Sequence, residues 1–182
     1  MKNSFFIKII FIILVFFNKS IAEDLLINAN EVNIVEKGKI IEAIGSVEII
    51  DTNNEIKING NSAKYDKKNQ NVEIKGNVVF FDKLRNINVK SNLIVFERNE
   101  KKLYTYENTE INLFDNDNDK IRYNIKSNDA FIDQKKELLE FNQNVEFKDF
   151  INNYEIFTDK IEYDKINELI KTFNNTEIKY KD

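Results

Sequence analysis

The sequence predicts an all-β protein of stacked antiparallel strands. Three observations predict it: a pattern of about 31 residues that recurs five times, apolar alternation inside each copy, and turn residues where the alternation stops. Anchored on Ile34, Tyr65, Phe96, Ile132 and Tyr163, successive copies lie 31, 31, 36 and 31 residues apart. Repetition at such a period means one supersecondary unit stacked on copies of itself.

The first strand of each unit begins seven residues after the anchor, at Ile41, Val72, Leu103, Leu139 and Ile170. From there every second residue is apolar or small: Ile41, Ala43, Gly45, Val47 and Ile49, then Val72, Ile74, Gly76, Val78 and Phe80. Glu42, Glu48, Glu73 and Lys75 fall between them. A period of two describes a strand with one buried face and one wet face. Later units place Thr109 and Ile111, Val145 and Phe147, and Thr176 and Ile178 at the inward positions.

The second strand precedes the next anchor. Its inward residues are Ile56, Ile58 and Gly60, then Ile87, Val89 and Ser91, then Tyr123, Ile125 and Ser127, then Tyr154, Ile156 and Thr158. Parity then slips by one, and alternation resumes at Ala63/Tyr65, Ile94/Phe96, Ala130/Ile132 and Ile161/Tyr163. A one-residue slip turns side chains to the other face. Because it recurs at a Gly, Ser or Thr in each unit, it reads as a built-in bulge where the strand bends. Both arms of the bent strand then face one interior, and Gly45 and Gly76 serve the same bend in the first strand.

Turns follow the anchors, where Asp66, Glu97, Asp133 and Asp164 precede polar stretches such as Lys67-Lys68-Asn69. The 36-residue spacing reflects an insertion near Asp115-Asn116-Asp117-Asn118-Asp119. That string resembles the start of an EF-hand loop, but Lys120 stands where the loop needs glycine and Lys126 where it needs glutamate, so it reads as a solvated loop.

The architecture that follows is an elongated, folded-over pair of sheets enclosing an apolar channel. At about 4.8 Å per strand, five two-strand units extend roughly 45–50 Å. The residues expected to line the channel on one arm are Ile34, Ala63, Tyr65, Ile94, Phe96, Ile132 and Tyr163. On the other arm they are Val47, Ile49, Ile58, Val78, Phe80, Val89, Ile111, Ile125, Val145, Phe147 and Ile156. The chain has no proline. Proline, bulges and charge ordinarily protect edge strands, so the ends of the stack read as open to pairing with another sheet.

Residues 1–22 stand outside the repeat. Lys2, the run from Phe5 to Phe17 broken only by Lys8, and Ser20 and Ala22 at the −3 and −1 positions describe a cleavable export signal. A membrane anchor needs roughly 20 apolar residues. The expected division is therefore a signal at 1–22 and one domain at 23–182. The signal holds three lysines and no acid, so the rest has 24 basic and 31 acidic side chains, a net charge of −7. That balance argues against nucleic acid as a partner. The chain contains neither histidine nor cysteine, which removes the usual general base, metal ligands and thiol nucleophile. A non-enzymatic protein without cofactor or metal is expected.

The run Ala63-Lys64-Tyr65-Asp66-Lys67-Lys68-Asn69, followed by Val72-Glu73-Ile74-Lys75-Gly76-Asn77-Val78, resembles the OstA-like lipopolysaccharide-transport family. Its members include LptA, LptC and the N-terminal periplasmic domain of LptD. The pattern returns in Gly45-Ser46-Val47, Asn144-Val145 and Asp159-Lys160-Ile161-Glu162-Tyr163-Asp164, and weakens at Glu107-Asn108-Thr109. The resemblance implies a periplasmic β-jellyroll whose groove shields the acyl chains of lipid A. It also implies end-to-end joining, to LptC-like and LptD-like domains or head to tail with itself, in a bridge between inner and outer membranes. Within the family the resemblance implies an LptA-like protein first, with a truncated LptD N-terminal domain as the alternative. A structural or adhesive β-solenoid with a filled core is the alternative from another class.

Overall fold

Strand pairing in this protein is entirely antiparallel, as the alternation predicts. The computed structural model describes residues 25–115 and 120–181. The expected export signal at 1–22 and the acidic loop residues 116–119 lie outside the described residues. The strands are β1 (Leu25–Asn28), β2 (Glu31–Val35), β3 (Ile40–Asp51), β4 (Ile56–Asp66), β5 (Asn71–Asp82), β6 (Ile87–Glu97), β7 (Lys102–Phe114), β8 (Ile121–Asp133), β9 (Leu138–Asp149), β10 (Tyr154–Asp164), β11 (Leu169–Phe173) and β12 (Glu177–Tyr180). They form one sheet in which β3 to β10 follow sequence order. β1 and β2 pair with the two halves of β3. β11 and β12 do the same on β10.

Every internal strand bends at one height, where the parity slip predicts it. Between the pairs Ile44↔Ser62 and Val47↔Gly60, β3 carries two residues, Gly45 and Ser46, against Asn61 alone on β4. The same break recurs at Gly76-Asn77, Glu107-Asn108 and Gln143-Asn144. All eight inserted residues have positive φ, between 49° and 81°. Glycine takes this conformation freely and asparagine tolerates it. Glu107 and Gln143 adopt it although their units have lost the glycine that marks the bend in the sequence.

The identity of the slip residues has a physical cause. A broken ladder leaves backbone groups without partners, and buried ones must be satisfied. Ser91 Oγ donates to the Tyr106 carbonyl at 2.8 Å, Ser127 Oγ to that of Asp129 at 2.9 Å, and Thr158 Oγ1 to that of Phe173 at 2.8 Å. Thr105 Oγ1 accepts from the Ala130 N–H at 2.9 Å. At Gly60 the constraint is space, since a Cβ there would come within 2.4 Å of Ile74 Cγ2.

Turns repeat as closely as strands. Asp51, Asp66, Asp82, Asp133, Asp149 and Asp164 each accept from backbone N–H groups two or three residues later. Four residues after each Asp comes a residue with φ between 50° and 58°: Glu55, Gln70, Asn86, Glu137, Asn153 and Glu168. The core lies between the two arms, which meet through Phe80 and Phe96 (centroids 5.5 Å apart) and through Tyr123 and Tyr163 (5.4 Å).

Gly60→Ala should destabilise the fold by about 1–3 kcal/mol through overpacking against Ile74. Gly38 has open space around it and φ of 89°, so Gly38→Ala should incur only the left-handed backbone penalty, about 1 kcal/mol. Denaturant midpoints of the two variants check the order.

Candidate functional site

Seventeen of the eighteen residues expected to line the interior are buried there. Val47, Ile49, Ile58, Ala63, Tyr65, Val78, Phe80, Val89, Ile94, Phe96, Ile111, Ile125, Ile132, Val145, Phe147, Ile156 and Tyr163 all belong to one apolar core. Ile34 is the exception at 66% exposed. It pairs with Ile41, which pairs with Tyr65, so it faces inward. It lies on β2, beyond which no further strand pairs among the described residues.

The enclosed interior is filled by its own side chains. Side chains of the two arms touch across the interior, and Ile49, Phe80, Val89, Phe96 and Phe147 are at most 2% exposed. Two cavities border that core. One of about 640 Å³ sits beside the bend, between Asn144, Phe157 and Asn175. Another of about 350 Å³ opens between the turns, lined by Leu84, Leu113, Tyr123 and Tyr163 together with Arg122, Lys165, Glu137 and Glu168.

Folding the sheet at its bend brings the turns of one arm against the turns of the other, and polar side chains tie this seam. Arg98 Nε donates to Asp51 Oδ2 at 2.8 Å, and its Nη1 donates to the Tyr65 hydroxyl and to Gln70 Oε1. Arg85 pairs with Asp82 at 3.1 Å and donates to the Gln134 carbonyl, while Gln134 Nε2 donates to Asp82 Oδ2 at 2.7 Å. Lys165 Nζ donates to the Arg85 carbonyl at 2.9 Å. Arg122 pairs with Glu168 at 3.1 Å and lies over the Tyr123 ring, 4.9 Å from its centroid. The chain has three arginines among 27 basic residues, and all three are seam ties. The sequence carried that signal in the scarcity of arginine among lysines. Arginine's rigid fork suits such bridging better than lysine's point charge.

The ties are staggered. The ties made by Arg98, Arg85, Gln134 and Arg122 join a turn region of the second arm to a turn of the first arm 46 to 52 residues later, and the Lys165 tie spans 80. The first arm therefore overhangs at the N-terminal end, where Val32 and Ile34 are 44% and 66% exposed. The second arm overhangs at the other end, where Ile178 and Tyr180, which pair with Ile156 and Tyr154, are 52% and 77% exposed.

No known family profile matches this sequence, and no curated protein matches it. Among solved structures, the chain is similar to LptH, the LptA-homologous periplasmic component of the lipopolysaccharide transport device of Pseudomonas aeruginosa. That similarity is 9% in identity, spans 87% of this chain and 95% of that one, and has a TM-score of 0.36.

Arg98→Ala leaves Asp51, 1% exposed, as a buried charge without its partner, a change that costs about 3–5 kcal/mol. Arg122→Ala frees Glu168, whose side chain is 61% exposed, and should cost under about 1 kcal/mol. Denaturant unfolding of both variants tests the contrast. Burial pushes the Tyr154 phenol up to about 12 and also raises Tyr123 and Tyr163. The folded protein thus keeps protons that an unfolded chain releases near pH 10. Their contribution is complete below about pH 10 and is lost as pH rises toward 12. Melting temperature should fall across that window, and the double variant Tyr154→Phe/Tyr163→Phe should flatten the fall.

Proposed function

We propose that this chain is an exported lipopolysaccharide-transport protein of the OstA-like family. Its two arms take the acyl chains of a lipid between them, and its ends join neighbouring domains of the same kind. The observation that carries this proposal is the pair of overhangs. Inward-facing apolar residues are exposed at both ends, on opposite arms, beside strand edges that carry no proline. A second copy, or an LptC-like or LptD-like domain, would bury Val32 and Ile34 under an overhang like that of Ile178 and Tyr180 while continuing the antiparallel ladder. The motif resemblance around Ala63–Asn69 and Val72–Val78 supports the same reading.

Binding here rests on burial and not on attraction. A charge of −7 outside the first 22 residues repels phosphorylated lipid, whereas each buried CH₂ contributes about 0.8 kcal/mol. Export would follow cleavage after Ala22 and place the domain in the periplasm, in reach of the outer membrane. The packed interior favours a second reading, a structural or adhesive β-solenoid that uses only its surface.

Native mass spectrometry with lipopolysaccharide separates the two. The transport reading expects retained lipid and crosslinks from photoreactive probes at Phe96 and Phe147; no lipid and no crosslink would leave the filled solenoid. Ile34→Asp should weaken head-to-tail association at least tenfold in analytical ultracentrifugation. A wild-type protein that stays monomeric at high concentration and pairs with no LptC- or LptD-like domain would sink the joining part of the proposal.

A further inference from the structure

We infer that a lipid reaches the interior sideways, through the seam, with the bend as hinge and the arginine ties as clasp. This rests on the transport reading. The alternative route is through the ends. There a chain would have to thread past side chains at most 2% exposed across every internal strand, among them Ile49, Phe80, Val89 and Phe96. Proteins pack such interiors as densely as organic crystals, so that path stays shut unless the arms separate.

The arms have one line along which they can separate. At the bend the ladder between neighbouring strands is interrupted at the same height in each pair. Rotation there bends the backbone while the pairing within each arm stays whole. Opposite the bend, the rims meet through polar side chains that water replaces at little cost when exposed. The interior of the fold is thus held by apolar contact, and its mouth by polar ties of which the exposed ones exchange readily with water.

The ties are unequal, and that sets where opening begins. The Arg98–Asp51 pair is shielded, its side chains 13% and 1% exposed. The Arg122–Glu168 pair is wet at 29% and 61%. Beside it lies the cavity of about 350 Å³, whose floor is formed by the core residues Leu113, Tyr123 and Tyr163. Arg122 Nε is buried there without a hydrogen-bond partner. The cavity thus meets the apolar core beside the most exposed of the arginine ties. An amphiphile with long acyl chains would slide them in here, keeping its polar head at the rim, while the Arg98 tie holds the other end of the seam closed.

The chain has no cysteine, so a lock can be placed cleanly. The pair Arg122→Cys/Glu168→Cys, and separately Leu84→Cys/Glu137→Cys across the same cavity, is bridged with a short bismaleimide. Each is compared with the same protein capped by a monofunctional maleimide, and uptake of fluorescent lipopolysaccharide is followed in time. Lateral access expects at least a tenfold slower uptake in the bridged protein. It also expects that bridging after loading traps the lipid against detergent extraction. Equal uptake by bridged and capped protein overturns the inference and leaves lipid binding standing. No uptake by wild-type protein overturns the transport reading and this inference together.

Discussion

A register break at one common height is the constraint on which everything else in this molecule depends. In an unbroken pleated sheet, Ala43 and Val47 would share a face that the slipped residues Ala63 and Tyr65 could join only by changing sides. The two residues that β3, β5, β7 and β9 each set against one absorb that mismatch, so both arms of the strands β3 to β10 turn their apolar side chains inward. A single sheet then acts as two facing layers. Remove the break and the core, the seam and the staggered ends have no geometric basis.

Closure of the seam follows from what turns are made of. Turn backbones stay near water because their polar groups need it, so the rims cannot be joined by apolar packing. The aspartates that build the turns supply acceptors at the needed places. Asp51 accepts from the Asn54 N–H within its own turn and from Arg98 across the seam. Asp82 serves Arg85 and Gln134 in the same double capacity. At these two places one residue type thus shapes a rim and offers the other rim a bond, which Arg98 and Gln134 take up.

Much of this was legible in the sequence because it repeats. Period-two alternation located the strands, and the parity slip at Gly60, Ser91, Ser127 and Thr158 located the bend. What escaped was what does not repeat. Ile34 sits in the repeat pattern like Tyr65 or Phe96, yet pattern does not say which copy is last in the stack, and the missing neighbour leaves it exposed. The seam escaped for a related reason. Arg85, Arg98 and Arg122 occupy different places in their units, and their partners lie 46 to 49 residues away, beyond any local motif. The left-handed residues Glu107 and Gln143 escaped because context, and not propensity, holds them there.

A packed interior and a lipid-carrying one are often set against each other, but in a folded-over sheet they need not conflict. The core of an ordinary sandwich is locked because its two layers belong to different sheets joined at many points. Here both layers belong to the same strands and are joined on one side by the bend and on the other by a few polar ties. Separating them exposes apolar area, which is unfavourable in water and neutral when an acyl chain fills the gap, because the chain supplies the contacts the opposite arm withdrew. The empty molecule therefore closes on itself for the same reason that the loaded one would open. A permanently open groove would expose a continuous apolar face to water and invite aggregation. On the proposed transport reading, self-packing is the form such a groove would take between cargoes, and the exposed Arg122–Glu168 tie is where the exchange would begin.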